Sequence, residues 1–400
     1  MDTFIPSKEL TEELSKELQE VSNLAPETEK EKPVYHILFA AGGTGGHLFP
    51  AVAVAEALQE LTDNKIKISF IGTKHRLEAK VIPELGYGFF EMPITGFTGI
   101  NLEAMLLPIR IIRSIIKARA IIKIHKVDAV VCTGAYISYP PGMAAKQMKK
   151  KLYLMESNVN AGKALKMLAD GATRIFTSFD KTADFFAENI RFKMINIGNP
   201  VRKYIHEKID SSQAKKNYGL DESKPCLLIM GGSLGALSIN QAVLDNLIYF
   251  NESGIEVIWQ TGKKFTHSLK LPPNVHQHEF IDNMAEAYAA ADFVLCRSGA
   301  TTISELTITG KPAILVPLPS ASNQEQRHNA EFLVENNAGI ILDNSEVNTK
   351  MKEVLEDLKN NPEKLKSMSE NLLKLGKPNA AIEIATKILA ELSAYDPYRK

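Results

Sequence analysis

The sequence predicts two α/β domains in series, each a doubly wound parallel sheet. Three observations carry that prediction. From Val34 onward short apolar runs alternate with helical patterns, the rhythm of parallel strands joined by crossover helices. The rhythm breaks at Asn199-Pro200 and restarts at Cys226–Met230. In each half one strand runs into a glycine-rich turn that opens a helix, His36–Leu58 in the first and Cys226–Ala236 in the second.

Taken in order, residues 1–33 carry nine acidic and four basic residues, a net of −5. Leu10, Leu14, Leu18 and Val21 suit one amphipathic helix, and the segment reads as a mobile acidic extension. The first domain, 34–198, expects strands at 36–40, 66–71, 88–93, 129–132, 151–155 and 174–178. The second, 199–376, expects them at 226–230, 256–260, 275–280, 293–296, 313–316 and 339–342. Residues 377–400 form a closing segment whose helix, near 379–394 with Ala380, Ile384, Ile388 and Leu392 four apart, is expected to cross back to the first domain.

Composition narrows the function classes. At 44% hydrophobic and 24% charged, the 400 residues suit globular domains with full cores. Lys+Arg and Asp+Glu both count 47, so bulk charge argues against a dedicated nucleic-acid binder, and any contact with a polyanion must come from a local patch. Cys132, Cys226 and Cys296 lie far apart in or after apolar runs, as reduced, buried thiols of a cytoplasmic protein do. No metal-ligand spacing is present and no cofactor is expected. No apolar core follows a basic start, so no signal peptide is expected; no apolar stretch reaches the ~18 residues of a membrane span.

The first turn holds Gly42, Gly43, Gly45 and Gly46, with Thr44 and His47 at the mouth of a helix begun by Pro50. Without side chains, its backbone N–H groups and the helix N-terminus form an anion cradle. It is neither a dinucleotide fingerprint, whose last small residue would fall on Leu48, nor a Walker loop, since no Gly-Lys-Ser/Thr follows. Gly231–Ala236 repeats the glycine logic, and Ser233 adds a hydroxyl for a phosphate oxygen. Two doubly wound domains place such loops at the carboxyl ends of their strands, where a diphosphate held in an interdomain cleft would meet both.

Other loops at strand ends add specific groups. In Arg297–Glu305, Gly299 and Ala300 allow close backbone approach, and Thr301 and Thr302 are expected to cap a helix. Glu305 can accept two hydrogen bonds from the vicinal hydroxyls of a ribose, or simply complement the helix N-terminus. In the loop and helix start from Pro317 to Ala330, Gln324, Gln326 and Asn329 offer amides that read sugar hydroxyls, or a merely solvated helix start. Arg202, just past the Asn199-Pro200 break, suits a phosphate contact or a plain surface position, while Asn158, Asn160 and Gly162 form a polar turn. Between 99 and 126, Arg110, Arg113 and Lys117 share one helical stripe at ~100° per residue, and Ile111, Ile112, Ile115 and Ile116 share another. With Met105, Leu106 and Leu107 ahead of it, this basic amphipathic stretch suits an anionic membrane surface; isoleucines packed on the sheet fit the same pattern.

Together these loops resemble the MurG family, the lipid I N-acetylglucosaminyltransferases of bacterial cell-wall synthesis. The matching pieces are GGTGGHLFPA (42–51), GTKHRLEAKVIPELG (72–86), GAYISYPPG (134–142), ESNVNAG (156–162), GNPVR (198–202), GGSLGA (231–236), EFIDNMAEAYAAAD (279–292), CRSGATTISE (296–305) and the close of the Gln326–Ala330 stretch. They run in family order over about residues 34–395 and leave out only the acidic extension.

The resemblance implies a GT-B fold, two Rossmann-like domains facing across a cleft, and inverting transfer of N-acetylglucosamine from UDP-N-acetylglucosamine. The acceptor implied is the 4-hydroxyl of the N-acetylmuramoyl unit of undecaprenyl-diphospho-N-acetylmuramoyl pentapeptide, lipid I, at the cytoplasmic face of the cell membrane. Cell-wall synthesis and division proteins are implied as partners. Carried over, Glu305 holds the ribose and the backbone of Ile281 the uracil. Ser233, Arg202 and Ala300, Thr301, Thr302, Ile303 and Ser304 serve the diphosphate and nucleoside, and Gln326 the N-acetylglucosamine. Thr44, Gly45, Gly46 and Asn158 close over the donor sugar and face the acceptor. His47 is the candidate base for the acceptor hydroxyl, or a residue that only hydrogen-bonds phosphate or backbone. Glu325 stands where the family usually has glutamine or histidine.

Competing readings share parts of this pattern. A UDP-N-acetylglucosamine 2-epimerase-like enzyme needs no lipid, so the basic amphipathic stretch and the GGTGGH turn speak against it. A non-catalytic nucleotide-sugar sensor keeps Glu305 and Gln326 and dispenses with His47. A nicotinamide-dependent oxidoreductase is disfavoured by the broken fingerprint.

Overall fold

A computed structural model of the chain describes residues 35–94, 107–232 and 234–395. It divides into two units: one holds the chain to Ser157, Ala161–Ile197 and the part from Ala381; the other holds Asn158–Asn160 and Gly198–Ala380.

In the first unit the elements run β1 (His36–Ala40), α1 (Gly45–Leu61), β2 (Lys67–Gly72), α2 (Leu77–Glu84), β3 (Gly88–Glu91), α3 (Leu107–Ile124), β4 (Ala129–Cys132), α4 (Tyr139–Gln147), β5 (Lys151–Glu156), α5 (Lys163–Leu168), β6 (Arg174–Thr177), α6 (Glu188–Arg191) and β7 (Met194–Asn196). The sheet is parallel throughout, in the order β3-β2-β1-β4-β5-β6-β7. β1 and β4 are buried over their whole length, which is why HILFA and AVVC read as continuous apolar runs rather than alternating ones. Alternate residues serve opposite faces. Leu38, Ala40, Val130, Cys132, Leu152 and Leu154 pack against Ala118, Ile121 and Ile122 of α3, Ala144 and Ala145 of α4, and Leu165 and Leu168 of α5. On the other face lie the stacked pairs Phe39–Phe70 and Tyr153–Phe176.

Two expectations shift here. α1 begins at Gly45 rather than Pro50, because the Thr44 carbonyl already accepts the N–H groups of His47 (3.2 Å) and Leu48 (3.1 Å). Pro50 then sits inside the helix, where its missing N–H leaves one bond unmade. The three-residue edge strand β7 was not foreseen: its run is too short to show a period, and pairing with β6 alone defines it.

The second unit runs α7 (Ser211–Asn217), β8 (Cys226–Met230), α8 (Leu237–Asp245), α9 (Leu247–Ser253), β9 (Glu256–Gln260), β10 (Val275–His278), α10 (Met284–Ala290), β11 (Phe293–Cys296), α11 (Ala300–Thr309), β12 (Ala313–Leu315), α12 (Glu325–Glu335), β13 (Gly339–Ile341), α13 (Val347–Asn360) and α14 (Pro362–Leu375). Its six strands are also parallel, in the order β10-β9-β8-β11-β12-β13. The core gathers Leu227, Ile229, Val257, Trp259 and Leu295 with Met351 and Leu355 of α13. The last helix, α15 (Ala380–Tyr395), counts from Ala381 with the first unit, where Glu391 pairs with Arg174 of β6. In both units the loops singled out from the sequence leave the carboxyl ends of strands, where parallel sheets place their ligand sites.

Candidate active site

In the first unit, the turn from Ala41 to Thr44 is held from below by a residue the sequence reading passed over. Glu78, second in α2, is fully buried. Its Oε2 accepts the Gly43 N–H (3.0 Å) and its Oε1 the N–H and hydroxyl of Thr73 (3.0 and 2.6 Å). A Cβ on Gly42 would sit on that carboxylate. One donor of the expected anion cradle is therefore already committed to a carboxylate. Thr44 is exposed, and Gly45 and Gly46 form the first two residues of α1, so the helix N-terminus is the part of the turn left for a ligand.

His47, third in α1, is oriented by residues that follow β4. Its Nδ1 lies 2.9 Å from the Thr133 carbonyl. A carbonyl only accepts, so Nδ1 carries the hydrogen and the neutral ring keeps its lone pair on Nε2. The Thr133 hydroxyl donates back to the His47 carbonyl (2.8 Å). Gly134, at φ +102°, lies flat on the imidazole: a Cβ there would come within 3.0 Å of Cε1. Ser138 braces this corner by accepting the Gly134 N–H and donating to the Ala40 carbonyl, each at 3.1 Å. Burial pushes the imidazole below its ordinary 6.5, and the Thr133 bond only partly opposes it. A neutral ring with a fixed tautomer and an Nε2 that has no partner among the described residues is the equipment of a general base.

In the second unit the structure brings Arg202 and Glu305 together, with Nη2 and Oε1 4.0 Å apart. Glu305 is buried, and its Oε2 accepts the Tyr288 hydroxyl at 2.9 Å. Burial raises its carboxyl, while Arg202 and Tyr288 pull the other way. Thr301 and Thr302 are not caps. α11 starts at Ala300 with Gly299 at the cap position and the Ile303 N–H on the Gly299 carbonyl (3.0 Å), which moves both threonines into the first turn. The Thr301 hydroxyl is buried without a partner among the described residues. Ile303 packs into the core and Ser304 bonds back to the Ala300 carbonyl, leaving backbone as their contribution.

Three further positions are tied into amide networks. The Ile281 N–H donates to Gln260 Oε1 (3.0 Å), whose Nε2 reaches the Gly232 carbonyl (3.1 Å), so Ile281 has only its carbonyl to offer a base. Gln326 takes the Leu318 N–H on its Oε1 (3.0 Å), which turns its Nε2 away as a donor, and its carbonyl accepts the Ser298 hydroxyl (2.7 Å). Asn329, fully buried, donates to Asn158 Oδ1 (3.0 Å) and the Ser298 carbonyl (3.3 Å) and accepts the Val159 N–H (3.1 Å). The helix at Gln326 is α12, entered through Asn323 and Gln324, both at positive φ. Ser233 lies outside the described residues. Glu78, Gln260 and Tyr288 were the missed participants; the site residues they hold, Gly43, Ile281 and Glu305, lie 35, 21 and 17 residues away, beyond the reach of local spacing.

The basic amphipathic stretch is α3, which contains no acidic residue. Its isoleucines divide instead of sharing one face. Ile111 and Ile115 pack on the core with the buried Ile121 and Ile122, while Ile109, Ile112 and Ile116 are exposed. Arg110, Arg113 and Lys117 are half-buried beside them, as is Leu107; Met105 and Leu106 lie outside the described residues. No helix among the described residues is long and apolar enough to cross a membrane.

Comparison with known proteins places these features in a family. Residues 37–177 match the glycosyltransferase family 28 N-terminal domain and residues 226–384 its C-terminal domain. A UDP-N-acetylglucosamine--N-acetylmuramyl-(pentapeptide) pyrophosphoryl-undecaprenol N-acetylglucosamine transferase of Bacteroides fragilis is 37% identical over 363 residues, 88% of this chain and 94% of that one. Its namesake from Chlorobium phaeobacteroides is 38% identical over 365 residues, 88% and 98% of the two chains. Among solved structures, Acinetobacter baumannii MurG is similar at a TM-score of 0.67 and 25% identity, covering 89% of this chain and 99% of that one. A calicheamicin glycosyltransferase, at 16% identity and a TM-score of 0.64, shares the fold.

Proposed function

The chain belongs to glycosyltransferase family 28, among the UDP-N-acetylglucosamine--N-acetylmuramyl-(pentapeptide) pyrophosphoryl-undecaprenol N-acetylglucosamine transferases, and on that premise we propose how its residues share the reaction. It is a GT-B hexosyltransferase that moves N-acetylglucosamine from UDP-N-acetylglucosamine to the N-acetylmuramoyl unit of lipid I, giving lipid II for peptidoglycan. The epimerase and sensor readings are not favoured.

The single observation that carries the mechanism is the Nε2 of His47, without a partner among the described residues and fixed by the Thr133 carbonyl. In the proposed step the acceptor's 4-hydroxyl oxygen attacks C1 of the donor sugar and its proton passes to Nε2. The bond from C1 to the UDP oxygen breaks, the anomeric centre inverts, and UDP carries away the electron pair. Gly45 and Gly46 present the N-terminus of α1 at this end of the sheet, where partial positive charge steadies oxygen-rich groups. In the second unit, Glu305 holds the ribose, Arg202 and the first turn of α11 the diphosphate, the Ile281 carbonyl the uracil and Gln326 Nε2 the N-acetylglucosamine. Asn158, tied to Asn329, presents its loop to the sugar.

The exposed face of α3, with Ile109, Ile112 and Ile116 among arginines and lysines and no acid, supports peripheral docking on an anionic membrane, placed by this reading at the cytoplasmic face. Cell-wall synthesis and division proteins are the partners this location implies.

The test is UDP release from UDP-N-acetylglucosamine with and without a short-chain lipid I analogue. Acceptor-dependent release with a β-1,4-linked disaccharide product is expected. Acceptor-independent release of free N-acetylmannosamine would move the protein to the epimerases, and donor binding without turnover would leave a sensor.

A further inference from the structure

Just past Arg202, the short 3-10 turn Lys203–His206 packs against α10 and α11, the helices that carry Tyr288 and Glu305. The Tyr204 ring lies under the Arg202 guanidinium, 4.7 Å from its centroid. The ring is partly exposed, but the hydroxyl is buried and has no hydrogen-bond partner among the described residues. A buried hydroxyl left unpaired is costly, and a tyrosine hydroxyl in a well-packed site ordinarily finds one. Nothing in the sequence marked this residue.

We propose that the Tyr204 hydroxyl is a recognition group for the ribose of the donor nucleotide, bonding a sugar hydroxyl beside Glu305. The inference rests on the nucleotide-sugar reading above and assigns to that site a residue outside the motifs that define it. Its position points to the ribose: the turn that carries it packs on α11 beside Glu305, the residue assigned to the ribose. The Arg202 guanidinium and the Glu305 and Asp282 carboxylates all act on the phenol, the guanidinium favouring its anion and the two carboxylates opposing it. Burial, with those carboxylates adding, pushes the phenol up to about 12, so at neutral pH it keeps its hydrogen and can both donate and accept. Its ring, stacked on Arg202, holds the guanidinium beside Glu305 at the same time.

The experiment compares wild type with Tyr204→Phe, which keeps the ring and its stacking and removes only the hydroxyl. Calorimetric titration uses UDP and 2′,3′-dideoxy-UDP, and the melting temperature of the ligand-free protein is measured alongside. Tyr204→Phe is expected to weaken UDP binding about fivefold to tenfold, the worth of one net hydrogen bond. The two proteins are expected to bind dideoxy-UDP equally, and the variant to melt no lower than wild type, since a buried unpaired hydroxyl is gone. A structural role would instead lower the melting temperature and leave UDP affinity alone. Equal UDP affinity, or the same weakening toward dideoxy-UDP, overturns the ribose assignment. Wild type that binds no UDP would overturn the nucleotide-sugar reading itself.

Discussion

The two glycine-rich turns look alike in the sequence and are built differently. Around the first, Gly42–Gly46, ionisable side chains make the contacts: the Glu78 carboxylate takes the Gly43 N–H, and the His47 imidazole rests on the Thr133 carbonyl and against Gly134. The second, Gly231–Ala236, is shaped by backbone against backbone. Gly235, at φ +77°, lies directly on the Thr261 carbonyl, Gly262 lies on Leu234 and Gly235, and the described side-chain contact to the turn is the neutral amide of Gln260 on Gly232. The first turn thus carries an ionisable group with a fixed tautomer, suited to proton transfer, and the second a close-packed frame, suited to recognition. A shared sequence signal reports the backbone a strand-to-helix turn needs and is silent on the chemistry built around it.

The comparison breaks most sharply at His47. His47→Gln is expected to lower kcat by ~10²–10⁴, the worth of a general base, and to leave the UDP dissociation constant unchanged. Loss of donor affinity in parallel would mean that the first turn recognises the donor rather than the proton.

Alanine at matching glycines separates frame from chemistry. In Gly235→Ala the new Cβ overlaps the Thr261 carbonyl at a left-handed φ, and about 3 kcal/mol of stability is expected to go, read by denaturant titration. In Gly43→Ala the nearest atom is the Ala135 Cβ at 3.9 Å, so only the strain of a positive φ, ~1 kcal/mol, is expected. Equal losses would erase the distinction between the turns.

Glu78→Gln sharpens the account of the first turn. An amide cannot accept on both sides, so either Gly43 or the Thr73 pair loses its partner, at a cost of about 1–2 kcal/mol. The expected kinetic result is about a tenfold loss in kcat/KM for the acceptor, with the KM for the donor unchanged. Unchanged acceptor kinetics would reduce Glu78 to a packing residue.

The smallest effect is in pH. Burial depresses the His47 pKa below its unfolded value of 6.5, so the folded state favours the neutral ring. Both its activity as a base and this share of stability are present above pH 6.5 and are lost as pH falls through the depressed value. A kcat/KM profile is therefore expected to be flat from pH 7 upward to the next titration, with an acid limb starting below 6.5. That limb should vanish from the residual activity of His47→Gln.

Much of the fold was legible because its signals are local. Buried parallel strands such as Leu227–Ile229 write themselves as apolar runs, and Asn199-Pro200 lies just past Ile197, where one run of the first unit ends. The candidate site was legible as a set of residues more than as an arrangement. Arg202 and Glu305 were both singled out, yet their pairing, and the Tyr288 hydroxyl on Glu305, emerge only where α10, α11 and the Lys203–His206 turn pack together. Ile281 was expected to use its backbone, and Gln260 decides which half of that backbone is left.

By itself, then, the sequence determined the alternation of strand and helix, the two glycine turns at strand ends, and the family whose motifs lie in order along the chain. Those properties follow from neighbours within a few residues of one another, through side-chain period and glycine's backbone freedom. Only the tertiary structure decided which nitrogen of His47 faces the Thr133 carbonyl, what sits beneath Gly43, and that the Tyr204 hydroxyl is buried without a partner among the described residues. Crossover connections set the strand order β3-β2-β1-β4, bringing residues 35 and 86 positions apart within a hydrogen bond of one loop. Hydrogen-bond partners are a matter of distance in space, which no local period records.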